Sequence, residues 1–203
     1  MVRIAVTGGI ACGKSSVGAM LRARGIPVIE ADALVHHMMA PGGAVYGGVV
    51  EAFRGRDIVD AAGAIDRRAL GEIVFRNEPD RRKLNGIIHP VVQREMAAWL
   101  RGRENEGARM AAAVVPLLYE ADMAEGWDTV LCVACTRQIQ FRRLRERGFS
   151  EEDAARRVAA QMPLRMKMRL ADMVLFNSGT LAVLEQQVDM ALERIGRPSR
   201  YAA

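Results

Sequence analysis

A glycine-rich segment near the start of the chain has the composition and spacing of a loop that binds phosphate groups. Residues Gly8–Ser15 read Gly-Gly-Ile-Ala-Cys-Gly-Lys-Ser and fit the pattern G-x-x-x-x-G-K-[ST], with a predicted strand before them and a helix after. Glycines let the backbone wrap around an anion, and the helix N-terminus adds positive potential. In such a loop Lys14 reaches the β- and γ-phosphates of a nucleotide, and the Ser15 hydroxyl holds Mg²⁺. The segment therefore predicts a nucleotide-phosphate site.

Two carboxylates follow the second predicted strand, in the sequence Glu30-Ala-Asp32. In open α/β sheets ligands bind beyond the carboxyl ends of the strands, so we expect an acid here to lie near the γ-phosphate. Asp32 could accept the proton of an attacking hydroxyl or position Mg²⁺, which favours a kinase that phosphorylates an alcohol on a small molecule. The alternative is that Asp32 only caps the next helix, and it could do both. The sequence has no Asn-Lys-x-Asp guanine-binding motif, which argues against a GTPase.

Short apolar stretches alternate with helical patterns, and this alternation sets the predicted fold class. Each stretch is almost continuously apolar, as in parallel strands that are covered on both faces. We predict an α/β fold of the P-loop kinase type, with a five-stranded parallel sheet flanked by helices. The first helix should run from Lys14 to Gly25, and the last should begin at the cap Thr180, with fraying after Pro198. The predicted strands are Arg3–Thr7, Pro27–Glu30, Ala111–Val115, Thr129–Ala134 and Met173–Phe176.

One long segment, residues 33–107, interrupts the alternation without a convincing strand. Its helical patterns should break at Pro41-Gly-Gly43, Pro79 and Pro90, because proline lacks the amide hydrogen that a helix interior needs. We predict a helical insertion between the second and third strands. The nucleotide-binding core is then expected to consist of residues 1–32, 108–136 and 170–203.

A second segment, residues 137–169, is strongly basic and is predicted to be a helical lid. Its arginines outnumber the nearby acids by more than pairing requires, which favours phosphate contacts for some of them over a purely solvated face. Gly148 should end one helix, and Ser150-Glu-Glu-Asp153 should begin the next as a capping box. We expect Pro163 to end that helix.

Composition limits the classes of function. The chain has 203 residues, 50% of them hydrophobic and 26% charged, which suits about one globular domain. Its formal net charge is +5 and its pI about 9.6, so we expect anionic partners. Aromatic residues make up only 5%, which weakens any nucleic-acid interpretation based on base stacking. We find no signal peptide and no apolar run of about 18 residues, so we expect neither secretion nor a membrane partner.

The cysteines Cys12, Cys132 and Cys135 suit a reducing compartment, and we expect a cytoplasmic protein. Cys132 and Cys135 form a C-x-x-C pattern inside the apolar run Val130–Cys135, which is typical of a buried strand and favours buried thiols over a redox or zinc site. Cys12 lies in the phosphate loop. A helix N-terminus lowers a thiol pKa, so a reactive thiolate is conceivable there, although a small tolerated residue is the simpler interpretation.

Seven motifs, taken in order, resemble those of the dephospho-CoA kinase family over nearly the whole chain. That family transfers the γ-phosphate of ATP to the ribose 3′-hydroxyl of dephospho-CoA, the last step of CoA synthesis. The resemblance implies a P-loop core, a helical CoA-side domain, a mobile lid and Mg²⁺ as the metal. The motifs are Val6–Ser16, Val28–Asp32, Asp66–Leu70, Ile87–Pro90, Val115–Glu120, Gln140–Arg143 and Ala171–Gly179.

The resemblance also assigns roles to residues. It makes Asp32 the catalytic base and a metal ligand, and Arg143 a lid arginine that approaches the phosphates, with Arg147 one turn further on. Asn177 would lie near the nucleotide base, and Arg68 and His89 on the acceptor side, although His89 could instead be a structural capping histidine. The ATP contacts implied in the loop come from Gly8, Gly9, Ala11, Cys12, Gly13, Lys14, Ser15 and Ser16.

Three positions depart from the family's usual pattern. Ala11-Cys12 stands where Gly-Ser is usual, Glu30 where Asp is commoner, and Phe176 where a polar residue usually precedes the asparagine. The first two leave the catalytic residues intact. The third bears on the adenine contacts.

Two other functions remain open. One is a kinase for another alcohol, such as shikimate or gluconate, against which the long helical insertion argues. The other is a non-catalytic, nucleic-acid-binding ATPase relative, against which the low aromatic content and the clustering of arginine argue. We expect ATP and dephospho-CoA as partners and no nucleic acid, and the sequence leaves the oligomeric state undecided.

Overall fold

A five-stranded sheet with the strand order β2-β3-β1-β4-β5 forms the centre of the chain, in a computed structural model that describes residues 1–196. The pairs β1–β3, β1–β4 and β4–β5 are parallel. This confirms the predicted fold class, and each predicted strand lies within a residue or so of its observed position. The tail beyond Pro198 lies outside the described residues. The strands are β1 Val2–Gly8, β2 Val28–Glu30, β3 Met110–Val114, β4 Thr129–Ala134 and β5 Met173–Phe176.

Helices connect the strands, as the alternation of patterns predicted, except between β3 and β4, where the chain forms only turns. α1 follows the phosphate loop, α2 to α5 lie between β2 and β3, α6 to α8 lie between β4 and β5, and α9 closes the described chain. The helices are α1 Lys14–Ala23, α2 Ala31–Met38, α3 Tyr46–Ala52, α4 Arg67–Arg76, α5 Glu78–Asn105, α6 Arg137–Glu146, α7 Glu151–Ala159, α8 Leu164–Leu170 and α9 Leu181–Gly196.

Helix boundaries follow the expected capping chemistry. Ser150 Oγ accepts a hydrogen bond from the Asp153 amide at the start of α7, and Thr180 Oγ1 accepts one from the Val183 amide at the start of α9. Gly25 and Gly148 follow helix ends with φ angles of 75° and 84°, which glycine adopts without strain. These caps fix where the loops around the sheet begin.

Two proline predictions were wrong. Pro90 lies inside α5, which continues through it, and buried side chains on both sides of the proline, such as Ile88 and Val92, hold the helix to its neighbours. Burial of these apolar side chains can offset the missing main-chain hydrogen bond. Pro163 does not end α7, which stops at Ala159. It is instead the N-cap of α8.

The chain divides into two compact units: residues 1–28 with the chain from Gly102 onward, and residues 29–101. The first unit contains most of the sheet, with a core that includes Ile4, Val6, Val17, Leu21, Leu131, Val133 and Leu184. The second unit consists mainly of α2 to α5 and contains the isolated bridge between Val59 and Ile65. Within the described residues, no helix combines the length and apolarity needed to cross a bilayer.

Candidate active site

The phosphate loop lies between β1 and α1, and its backbone requires glycine at two points. Gly8 has a φ of 140°, and a Cβ there would lie 2.1 Å from the carbonyl oxygen of Val133 on β4. Gly13 has a φ of 103°, and a Cβ there would lie 2.0 Å from Nδ2 of Asn177. Both contacts are closer than any side chain tolerates, so the motif glycines permit the close packing of the loop.

The N-terminus of α1 presents backbone amides and two motif side chains. Gly13 is its N-cap, and within the described residues no side chain caps this helix. Amides of an uncapped first turn, together with the helix dipole, favour an anion. The Lys14 ammonium donates hydrogen bonds to the carbonyl oxygens of Gly9 at 2.8 Å and Gly8 at 3.2 Å. The Ser15 side chain is exposed and that of Ser16 is half-buried.

Arg143 of α6 and Asn177, which follows β5, both form hydrogen bonds with the phosphate loop. Nη1 of Arg143 donates to the carbonyl oxygens of Ala11 and Cys12 at 3.2 and 3.3 Å, and Nη2 donates to that of Asn177 at 3.3 Å. The side-chain nitrogen Nδ2 of Asn177 donates a hydrogen bond to the Cys12 carbonyl oxygen at 2.8 Å. The structure therefore brings Arg143, Asn177 and the loop together. Arg147 lies at the C-cap of α6 with an exposed side chain.

Two glutamines of the basic segment also hold the loop, and the sequence interpretation missed them. Nε2 of Gln140 donates to the Ile10 carbonyl oxygen at 2.7 Å, and Oε1 of Gln161 accepts from the Ile10 amide at 3.0 Å. Gln140 lies three residues before Arg143, in one of the motifs that resemble the family. This position was the sequence feature that could have identified it as a loop contact. Gln161 gave no signal in the sequence, because nothing local links it to a residue 151 positions away.

Lys167, counted among the basic residues of the lid segment, lies in the protein interior. Its side chain is fully buried, and its ammonium lies 2.8 Å from Oε1 of Glu120 and 2.7 Å from the Pro116 carbonyl oxygen. The same Glu120 oxygen accepts from the Met162 amide at 2.9 Å. Lys167 therefore ties α8 to the loop after β3, which makes its role structural.

Substitution of Lys167 by Met should destabilise the protein by about 1–3 kcal/mol, because it leaves the Glu120 carboxylate, whose side chain is 21% exposed, without its cation. Urea unfolding would measure this change. Arg156→Met, in the same segment, is the control: Arg156 pairs with Glu152 and Asp153 on the surface, so its loss should change the unfolding free energy little. Equal stability of the two variants would contradict the structural role of Lys167.

The three cysteines are free and buried, as predicted for Cys132 and Cys135. Cys135 does not face its C-x-x-C partner: its thiol donates to Sγ of Cys12 at 3.4 Å. Cys132 lies on β4 opposite Thr7 of β1, and burial raises the pKa of its thiol to about 11.

Three predicted site residues belong to the second unit. Asp32 is the second residue of α2 and is exposed. Since Glu30 is the N-cap, Asp32 is not the cap itself but a first-turn acid that complements the helix dipole. Arg68 lies on α4, is largely exposed and pairs with Glu72 at 3.4 Å. His89 is half-buried in the middle of α5, so it caps no helix end, and burial lowers its pKa.

Comparison with known proteins decides the family. The dephospho-CoA kinase family model matches residues 2–183, from β1 into α9. The chain belongs to the dephospho-CoA kinase family. A dephospho-CoA kinase from Geobacillus kaustophilus is 45% identical over 192 residues, which cover 90% of this chain and 95% of that protein.

Solved structures agree with this family assignment. The protein TT1252 from Thermus thermophilus superposes with a TM-score of 0.82 at 32% identity, covering 97% of this chain and 98% of that one. A dephospho-CoA kinase from Campylobacter jejuni superposes with a TM-score of 0.69 at 25% identity, covering 95% and 96%. The resemblance inferred from the seven motifs is confirmed at the level of the dephospho-CoA kinase family.

Proposed function

We propose that this chain transfers the γ-phosphate of ATP to the ribose 3′-hydroxyl of dephospho-CoA, giving CoA and ADP. The observation that carries the proposal is the convergence of Lys14, Arg143 and the uncapped N-terminus of α1 on one loop, in a chain of the dephospho-CoA kinase family. Family membership supports the choice of acceptor, and the loop supports the choice of donor. The surplus of positive charge suits two polyanionic substrates.

The phosphate half of the reaction needs little covalent chemistry from the protein. In phosphoryl transfer, charge spreads over the oxygens of the moving group, so positioning and electrostatic stabilisation dominate. The α1 amides would bind the phosphates, while Lys14 and Arg143 would exchange their present carbonyl partners for phosphate oxygens. The hydrogen bonds to Ile10 and Cys12 would keep the loop in shape during this exchange. Asn177 would thereby position the loop on the side of the nucleotide base.

The acceptor half of the reaction rests on Asp32. Asp32 lies in the first turn of α2, directly after β2 and within the second unit, and its side chain is exposed. In the proposed reaction it orients the 3′-hydroxyl and takes the proton that leaves as the new P–O bond forms. Arg68 and His89 of the same unit are proposed to bind the acceptor.

The residues present fit Mg²⁺ as the metal. Within the described residues no group of three or more His, Cys, Asp or Glu side chains is arranged to hold an ion. Mg²⁺ is usually held by one or two protein oxygens together with substrate phosphates, and the exposed Ser15 hydroxyl and the Asp32 carboxylate have that chemistry. When bound, the ion would neutralise charge on the phosphates. We also propose a cytoplasmic location, which the free cysteines support.

A panel of acceptors tests the proposal. The purified chain with ATP and Mg²⁺ would be given dephospho-CoA, shikimate, gluconate or a single-stranded oligonucleotide, and ADP release would be followed. We expect rapid ADP release with dephospho-CoA alone. Faster release with shikimate or gluconate would indicate a kinase for another alcohol, and stimulation by the oligonucleotide would indicate a nucleic-acid-dependent ATPase.

Arg143→Ala should lower kcat by roughly tenfold, equivalent to about 1.4 kcal/mol, while the KM for dephospho-CoA changes less. The reason is that Arg143 contacts the phosphate loop. Steady-state kinetics would measure both constants. Arg145→Ala is the matched control, since Arg145 lies on the same helix with an exposed side chain. A raised KM for dephospho-CoA with unchanged kcat would instead assign Arg143 to the acceptor site.

A further inference from the structure

Two thiols meet at the phosphate loop, and the proposed reaction uses neither of them. Cys12 is part of the loop, and Cys135 follows the last residue of β4. The Cys135 thiol donates a hydrogen bond to Sγ of Cys12 at 3.4 Å, across 123 positions of sequence. Cys12 is fully buried and Cys135 is 8% exposed. The pair therefore couples the loop directly to the end of a core strand.

We propose that Cys12 and Cys135 form a site of reversible oxidation, in which a peroxide converts the two thiols to a disulfide that stops ATP binding at the loop. The loss of ATP binding rests on the proposed function. Formation of the disulfide does not, because it depends only on the two sulfurs. In a reducing compartment such a bond would be transient, as is usual for regulatory disulfides.

The surroundings make Cys12 the nucleophile of the pair. The hydrogen bond from Cys135 lowers the pKa of the Cys12 thiol, and the charges of Lys14 and Arg143 act in the same direction, against the effect of burial. The same hydrogen bond and burial raise the pKa of Cys135. A thiolate reacts with peroxide and a thiol does not, so oxidation begins at Cys12 and Cys135 resolves it. Cys132, with its raised pKa, is the matched unreactive thiol.

The chemistry balances with peroxide as the oxidant. The Cys12 thiolate attacks one oxygen of hydrogen peroxide, the O–O bond breaks, and Cys12 sulfenic acid and hydroxide form. The sulfur of Cys135 then attacks the sulfenic sulfur, the S–O bond breaks, and water leaves with the Cys135 proton. The hydroxide takes up the proton that Cys12 released on ionising, so the two thiols have lost two electrons and two protons and the peroxide has become two waters. A dithiol reductant reverses the result.

The disulfide would distort the loop because Cys12 is held from other directions. An S–S bond is about 2.05 Å long, so the two sulfurs must approach by about 1.3 Å from their present 3.4 Å. The Cys12 amide donates to the Gly9 carbonyl oxygen, and its own carbonyl oxygen accepts from Arg143 and Asn177. Moving Cys12 therefore strains the contacts that shape the phosphate site.

The test combines a chemical and a binding measurement on the full chain. Wild-type protein is treated with hydrogen peroxide, quenched with catalase, digested without reduction and examined by mass spectrometry, while ATP affinity is measured by titration calorimetry. We expect a peptide pair joined through Cys12 and Cys135, and a fall in ATP affinity of at least about tenfold that dithiothreitol reverses. Cys132→Ala should behave like wild type. Cys135→Ala should form no such pair.

Two results would overturn the proposal. Peroxide treatment that oxidises wild-type protein without joining Cys12 to Cys135 would show that the two thiols do not form the proposed disulfide. If fully cross-linked protein bound ATP with unchanged affinity, the disulfide would not regulate ATP binding. Neither measurement contains the acceptor, so failure here is distinguishable from failure of the kinase proposal, and circular dichroism of Cys135→Ala verifies that this variant is folded.

Discussion

Asp32→Asn should reduce phosphoryl transfer to dephospho-CoA by about 10²–10⁴-fold, the usual cost of losing a general base. Asparagine keeps the size of the side chain but cannot accept the proton of the 3′-hydroxyl or offer a full charge to Mg²⁺. ATP affinity should be largely kept, because Lys14 and the loop amides are unchanged. The measurement is kcat for dephospho-CoA with a variant shown to be folded and able to bind ATP.

The structure supplies a matched control for Asp32→Asn. Asp32 lies in the first turn of α2, where a carboxylate stabilises a helix by roughly 0.3–1 kcal/mol through the dipole. Glu78 occupies the first turn of α5 in the same unit, so Glu78→Gln makes the same kind of electrostatic change away from the proposed base. If Asp32→Asn retained activity within about threefold, roughly 0.7 kcal/mol, Asp32 would be only a helix residue and the reaction would lack its base.

Lys14→Ala should lower kcat by about 10²-fold or more, since it removes a cation that would stabilise charge on the transferring phosphoryl group. The glycines that shape the loop remain, and so do the hydrogen bonds that hold Ile10 and Cys12. The loss should therefore come from electrostatics and not from unfolding. Single-turnover kinetics at saturating ATP would measure it.

Lys83→Ala is the control for Lys14→Ala. Lys83 is an exposed lysine on α5 whose ammonium lies over the ring of Phe53, within the second unit. The Lys83→Ala substitution should leave kcat near the wild-type value. A Lys14→Ala variant with near wild-type kcat would exclude the phosphate loop from the reaction.

Much of the fold could be predicted because its signals are local. Strands β1, β3 and β4 are almost continuous apolar runs, and burial on both faces produces such runs where parallel strands lie under helices. The phosphate loop is equally local, since the positive φ angles at Gly8 and Gly13 favour glycine at these two fixed positions, while Ala11 adopts a φ of 56° without being glycine. The caps at Ser150 and Thr180 depend on one side chain and an amide three residues away.

The features that sequence reasoning missed depend on distant contacts. Gln161 and Cys135 contact the loop across 151 and 123 positions, and no spacing pattern records such pairs. A lysine in a basic segment is expected at the surface, but Lys167 is buried because it pairs with Glu120, which lies in another part of the chain. Pro90 breaks a local rule, and the helix continues because its neighbours are buried. In each case tertiary packing overrides a local preference.

The identity of the product tests the account most directly. Purified chain, ATP labelled in the γ-phosphate and dephospho-CoA would be incubated with Mg²⁺, and the position of the label in the product would be determined by ³¹P NMR and mass spectrometry. A parallel reaction would use an acceptor that lacks only the ribose 3′-hydroxyl. We predict one labelled phosphate on the 3′-oxygen of dephospho-CoA and no transfer to the 3′-deoxy acceptor. Label at another hydroxyl, or equal transfer to the 3′-deoxy acceptor, would contradict the assigned reaction.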